Sequence, residues 1–229
     1  MDTFQEAVAP VSIVLALDAS GSMAKAADGV RAAALSFVDA LRPEDALSVL
    51  LFSDTAAFAH GLTTDRQQSI SAVNAYHARG GTALYDGLTD ALMRLRQTDG
   101  RKVVVLLSDG RDEDNAGTGP GSMRTPRDVF AALGETDATI YPIGLGRRVD
   151  RDLLERLAAE SGGAAYFPED VSNLRGDYAR IVEELRRRYV VSYASTNPAR
   201  DGAWRTVQIQ TQQTELTVRS RGGYAAPER

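Results

Sequence analysis

Cysteine is absent from the 229 residues. Disulfides, zinc–cysteine sites and thiol catalysis are excluded with it, although the compartment is not fixed by that absence. Histidine is almost absent: His60 and His77 are the only two. They provide no histidine-rich metal cage and no histidine-centred triad, and read most simply as surface or strand-edge residues. Lysine is equally scarce, with Lys25 and Lys102 the only two among 26 basic residues. Together with abundant alanine, that arginine bias points to a GC-rich bacterial genome. A net charge of -5 supplies no global basic field for nucleic acid or acidic membranes. No apolar run reaches transmembrane length. Met1-Asp2-Thr3-Phe4-Gln5-Glu6 lacks the basic region and apolar core of a signal peptide. Neither a Gly-rich dinucleotide motif nor a P-loop occurs. The longest basic cluster, Arg186-Arg187-Arg188, ends a helical pattern, where it complements the helix dipole.

What is present is an ordinary globular composition, 43% hydrophobic and 25% charged, in a chain long enough for a sizeable core. Val11-Ser12-Ile13-Val14-Leu15-Ala16-Leu17 is an almost continuous apolar run with β-branched residues. That pattern reads as a strand buried on both faces. The pattern then alternates. A helix is expected over 25–41, ended by Pro43, then a buried strand over 46–52 and a short edge strand over 56–60. Helices are expected over 66–76 and 83–95, the second with Leu84, Leu88, Leu92 and Leu95 on one face. Residues 103–107 form the most hydrophobic strand, followed by a polar, Gly-rich loop over 109–122. Helices over 126–133 and 150–160 flank a strand over 138–143. Thr125 and Pro126 mark the start of the first of these helices. A short strand over 164–167 and a long helix over 171–188 follow. Such alternation predicts an α/β fold with a doubly wound, mostly parallel sheet flanked by helices.

After Arg188 the helices stop. Three strand-like runs over 189–194, 204–210 and 215–220, separated by turn signals such as Asn197-Pro198 and Asp201-Gly202, predict a C-terminal antiparallel β meander. The expected organisation is a lead-in over 1–10, an α/β domain over 11–188 and a C-terminal β extension over 189–229.

In an open α/β sheet, ligands bind beyond the carboxyl ends of the strands, where strand order reverses. Three segments bring oxygen donors to that edge. The first strand runs into Asp18, Ser20 and Ser22; the strand over 103–107 runs into Ser108-Asp109-Gly110; Thr82 sits just before a helix. A hard cation such as Mg2+ takes oxygen ligands at about 2.0–2.1 Å and keeps some waters. Two carboxylates and three hydroxyls suit it. Alternation lets residues 18, 20 and 22 point inward while Ala19 and Gly21 point away, and Gly21 permits a tight turn. With uncharged hydroxyls as ligands, the ion stays electrophilic, and an open position favours a carboxylate from a partner.

Asp18-Ala19-Ser20-Gly21-Ser22, Gly80-Gly81-Thr82 and Ser108-Asp109-Gly110 resemble the metal-ion-dependent adhesion site of von Willebrand factor type A domains. The resemblance covers about 11–188, and the tail is similar to bacterial proteins related to that family. It implies a Rossmann-like sheet with one antiparallel edge strand, a bound Mg2+ (Mn2+ or Ca2+ as alternates) and protein–protein adhesion. It further implies direct ligation by Ser20, Ser22 and Thr82, with Asp18 and Asp109 acting through water. The expected partner is a protein presenting an Asp or Glu carboxylate. Secreted, periplasmic or cell-surface placement is the family expectation, and no enzymatic activity is implied.

Other readings stand beside these. Asp18 could merely cap the following helix. Metal could serve folding alone, in a scaffold of an envelope or secretion assembly. An Asp ending a first parallel strand also opens haloacid-dehalogenase phosphatases, but the second Asp they use is here Ser20. Asp86 either supports the site at a remove or is an ordinary acid in a first helical turn. Asp112, with Glu113 and Asp114, either solvates a loop or holds a second cation. Arg175-Gly176-Asp177 matches an integrin-binding tripeptide but falls in a helical pattern, and Trp204 is expected to anchor the tail's small core.

Overall fold

The computed structural model describes residues 3–6, 9–146, 148–187, 189–192, 194–212 and 218–226. The elements in chain order are β1 (Thr3–Glu6), β2 (Val11–Asp18), α1 (Ala27–Ala40), β3 (Ala46–Phe52), β4 (Ala56–Phe58), α2 (Arg66–Asn74), α3 (Leu84–Arg96) and β5 (Arg101–Ser108). They continue with α4 (Pro126–Gly134), β6 (Thr139–Gly144), α5 (Arg151–Ser161), α6 (Leu174–Arg186), β7 (Tyr189–Ser192), β8 (Trp204–Thr206) and β9 (Gly223–Ala225). No helix among the described residues is long and apolar enough to cross a membrane.

From Ile13 to Leu17 the β2 run is apolar on both faces, so it sits in the middle of the sheet. The order is β4-β3-β2-β5-β6, with only β4 antiparallel, at one edge. Odd-numbered residues Ile13, Leu15, Leu17, Val103, Val105 and Leu107 pack with α1, α2 and α6 through Val30, Phe37, Val73, Tyr178 and Ile181. Even-numbered Val14, Ala16, Val104 and Leu106 face α3, α4 and α5 through Leu84, Leu88, Leu92, Val129 and Leu154. The pleat alone sorts one apolar strand into two cores. This is the doubly wound α/β fold that the alternation predicts.

The chain leaves β2 toward β3 and β4, then crosses back to β5 on the other side of β2. Strand order therefore reverses between β2 and β5. In register, Leu17 lies beside Leu107 and Asp18 beside Phe52. The ends of β2 and β5 thus meet at the reversal.

Several expected elements are trimmed. The helix expected from Lys25 begins as a 3-10 turn over Gly21–Ala26, which drops Met23 into the core, and becomes α-helical at Ala27. The last helix likewise opens as a 3-10 turn over Val171–Asn173. The run over 164–167 makes one parallel bridge, Tyr166 with Ile143, because Gly163 and Pro168 bracket it closely. Thr125 and Asp128 form a capping box at α4, with Pro126 at the first position.

The tail is antiparallel, but its strands pair differently from a three-strand meander. β8 pairs with β9. β7 pairs instead with β1, Thr3 opposite Ser192 and Glu6 opposite Tyr189, so the lead-in carries a strand. Half of the run expected over 215–220, residues 215–217, lies outside the described residues. Arg221 ties the tail to the body, its guanidinium donating to the carbonyls of Leu133, Gly134 and Thr136 at the C-terminal end of α4. Trp204 does not anchor a buried core. It is 51% exposed and lies against Gly223, with Arg221 nearby, because two three-residue strands cannot enclose an indole.

Candidate metal centre

β2 delivers Asp18 to the sheet's carboxyl edge with its side chain wholly buried. Its Oδ1 accepts the Ser20 amide at 2.9 Å and its Oδ2 accepts the Ser108 hydroxyl at 2.7 Å. The Tyr76 hydroxyl donates to the Asp18 carbonyl oxygen at 2.6 Å, fixing the backbone there. Burial pushes the Asp18 carboxyl up to about 6, the Ser20 and Ser108 hydrogen bonds oppose the shift, and the Asp109 charge adds to it. None of the described ion pairs involves Asp18.

The Ser20 and Ser22 hydroxyls lie 2.9 Å apart and share a hydrogen bond. Ser20 is buried and Ser22 exposed, so the donor set grades from the core to solvent. Gly21 donates its amide to the Gly80 carbonyl at 2.9 Å, and Arg79 donates to the Ala19 carbonyl at 2.7 Å. Gly21 does not take a left-handed φ; the structure gives it a close backbone approach to Gly80 rather than a special turn conformation.

Thr82 is buried and its main chain exchanges hydrogen bonds with Glu113, amide to carbonyl in both directions. β5 delivers Ser108 and Asp109. The Asp109 carboxyl is also raised, chiefly by burial, with Arg111 and Ser22 pulling it down and Glu113 pushing it up. Backbone ties thus join the 18–22 loop to the 79–82 loop, and the 79–82 loop to the segment after Asp109. Side-chain contacts bring Asp18, Ser20, Ser22 and Asp109 together, and Thr82 is joined to them through the main chain of its loop.

Among the described residues, no three or more His, Asp and Glu side chains gather in a metal-holding group. The donor chemistry here is two carboxylates and three hydroxyls. It fits a hard divalent cation, and a buried carboxylate without a cationic neighbour is what such an ion would neutralise. A cation of this kind would be held by Ser20, Ser22 and Thr82 together with the two carboxylates.

Asp86 and Asp112 act elsewhere. Asp86 accepts the amides of Met123 and Arg124 at 3.0 Å each. Asp112 accepts those of Gly121 and Ser122 at 3.0 Å each. Asp86 fastens residues 123–124 to the start of α3, Asp112 fastens residues 121–122 to the loop after β5, and Ser122 accepts the Tyr85 amide. Glu113 pairs with Arg111, and Asp114 accepts the Thr118 amide, so the acidic run is spent on its own loop. The Arg175-Gly176-Asp177 tripeptide lies within α6, with Asp177 buried, which rules out extended presentation.

Two site contacts escape the motifs, Tyr76 beneath Asp18 and Asp54, whose Oδ1 accepts the Gly81 amide at 2.7 Å; a third, Ser108 on Asp18, falls within one of them. The Ser-Asp-Gly string hints at Ser108. Nothing local in the sequence couples Asp54 or Tyr76 to the site.

A family model of the von Willebrand factor type A domain matches residues 12–180. An uncharacterized protein of Synechocystis is 26% identical over 185 residues, 77% of this chain and 42% of its own length. Inter-alpha-trypsin inhibitor heavy chain H3 of Mesocricetus auratus is 27% identical over 212 residues, 81% of this chain and 23% of its own. The chain therefore spans less than half the length of these relatives. Among solved structures, the vWF domain of a type V pilus tip protein from Porphyromonas gingivalis superposes at TM-score 0.64, with 15% identity, covering 80% of this chain and 98% of that one. Proximal thread matrix protein 1 of the mussel byssus, with zinc in its MIDAS motif, gives 0.65 and 19% identity over 83% and 50%. These structural likenesses are of fold. With the family model spanning most of the chain, the chain belongs to the von Willebrand factor type A domain family.

Proposed function

We propose that this domain is a metal-dependent protein-binding module. Domains of the family are generally interaction modules, and similar proteins include a pilus tip component. In this reading Ser20, Ser22 and Thr82 ligate Mg2+, with Mn2+ or Ca2+ as substitutes, while Asp18 and Asp109 act through water. The remaining coordination position takes an Asp or Glu carboxylate of a partner. The observation that carries the reading is the cluster of Asp18, Ser20, Ser22 and Asp109 at the strand-order reversal, with the loop of Thr82 tied to it, around a buried Asp18 with no cationic partner among the described ion pairs. A structural resemblance adds that a fold of this kind accommodates an ion in its MIDAS motif. Secreted, periplasmic or cell-surface placement goes with the reading, as does the division into lead-in, α/β domain and β extension.

Selection of displayed random peptides in Mg2+, with elution by EDTA, tests it. Enrichment of Asp or Glu at one position, with capture lost on Asp18→Ala, supports the reading. Peptides held equally in EDTA or by Asp18→Ala would sink it.

A further inference from the structure

We propose that Asp54, which none of the motifs includes, is a positioning residue for Thr82 and thereby helps set which cation the site prefers. The inference rests on the metal reading above. Asp54 sits in the tight turn between β3 and β4, next to the sheet's carboxyl edge. The turn is itself braced: the Ser53 amide donates to the Thr55 carbonyl at 3.0 Å, and Phe52 pairs with Ala56.

From this turn both chain neighbours of Thr82 are held. Asp54 Oδ1 accepts the Gly81 amide at 2.7 Å, and the Ser53 carbonyl accepts the Ala83 amide at 2.6 Å. Thr82 itself exchanges main-chain hydrogen bonds with Glu113 at 2.7 and 3.3 Å. Of these four links, the one from Asp54 alone is made by a side chain, so it can be removed without altering the backbone. Packing is close on both sides. A Cβ at Gly80, whose φ is +80°, would lie 2.4 Å from Asp54 Oδ2. One at Gly81 would lie 2.7 Å from the Glu113 carbonyl. Two glycines let a carboxylate and a strand of backbone close on the loop from opposite sides.

Asp54 is exposed and takes part in none of the described ion pairs. Its carboxylate therefore acts either through the Gly81 hydrogen bond or as a bare negative charge near the site. The two roles separate by ion. Mg2+ demands near-ideal octahedral geometry, whereas Ca2+ accepts six to eight ligands at variable angles. Loosening Thr82 must hurt Mg2+ more than Ca2+. Removing a charge weakens both alike.

The experiment measures Mg2+ and Ca2+ affinity of the full chain by calorimetry, for wild type, Asp54→Ala, Asp54→Asn, Thr82→Ala and the Asp54→Ala/Thr82→Ala double variant. Loss of one hydrogen bond in Asp54→Ala is expected to weaken Mg2+ about five- to tenfold. Ca2+ should weaken by less than about twofold, so the Mg2+/Ca2+ ratio falls. Asp54→Asn keeps the acceptor oxygen and should keep the wild-type ratio. In the Thr82→Ala background, Asp54→Ala should leave the ratio unchanged. Should Asp54→Ala not fold, Asp54→Glu keeps the charge but displaces the oxygen by a methylene, and the same fall in ratio is expected. Equal weakening of both ions by the Ala and Asn variants, or a full Asp54→Ala effect without the Thr82 hydroxyl, overturns the positioning role. If the wild type binds neither ion, the metal reading itself fails, and the positioning role with it.

Discussion

Asp18→Asn should stabilise the metal-free protein and destabilise the metal-loaded one. The wild-type carboxyl is buried and titrates near 6 rather than its ordinary 3.8. A raised folded value means that the folded state holds the proton longer than the unfolded chain. Stability from this group is then greatest below about pH 4 and is lost as pH rises through 6. At 1.36 kcal/mol per pH unit, the ionised carboxylate costs on the order of 3 kcal/mol above that window in the absence of metal. Asparagine is the same shape and uncharged. Its Oδ1 can still accept the Ser20 amide. Its amide group would face the Ser108 hydroxyl, which now donates to Asp18 and would turn to accept. Weaker hydrogen bonds return part of the gain, leaving about 2 kcal/mol, or about 4–8 °C in Tm for a chain of this length. With Mg2+ at about 100 times Kd, the wild type instead gains about 2.7 kcal/mol that the variant forgoes. Thermal unfolding of both proteins at pH 7.5, in EDTA and in excess Mg2+, checks the crossing. A variant less stable than wild type in EDTA, or equally stabilised by Mg2+, refutes the reasoning. So does a metal-free wild type whose stability rises between pH 4 and 7 while that of the variant does not.

Gly81→Ala puts a Cβ 2.7–2.8 Å from main-chain atoms of residues 113–115. Backbone cannot swing aside as a side chain can, so a cost of about 1–3 kcal/mol and a weakened site are expected, readable by urea unfolding and Mn2+ titration. Asp86→Ala frees the amides of Met123 and Arg124. Trypsin should then cut after Arg124 several times faster, with metal affinity changed by less than about twofold, since Asp86 grips that loop and not the ion. Arg221→Ala uncovers three carbonyls at the end of α4. It should cost about 1–2 kcal/mol and raise hydrogen exchange in the tail, while leaving cation binding intact.

The sheet was legible because its strands are buried on both faces. Continuous apolar runs such as Val11 to Leu17 and Val103 to Leu107 have one economical place to go. The candidate site was readable because each of its loops carries its own signature: three alternate oxygen donors from the end of β2, Gly-Gly-Thr before α3, and Ser-Asp-Gly from the end of β5. β1 was not legible. Thr3-Phe4-Gln5-Glu6 has a single apolar residue, and its strand exists through pairing with β7, some 190 residues later in the chain. Asp54 and Tyr76 were hidden for the same reason. A Ser-Asp-Thr string reads as hairpin punctuation. Only the fold brings it to Gly81, as only the fold sets the Tyr76 hydroxyl under Asp18. The antiparallel tail was legible but its pairing was not, because turn signals mark where strands end and not which strands pair.

Mn2+ titration followed by electron paramagnetic resonance tests the central claim most directly, on the wild type and on Ser20→Ala/Ser22→Ala. Removing two hydroxyls leaves both carboxylates and the fold in place. One Mn2+ per chain, displaced by Mg2+ and lost in the double variant, is the result predicted. No bound ion in the wild type, or the same affinity without the two hydroxyls, would contradict it.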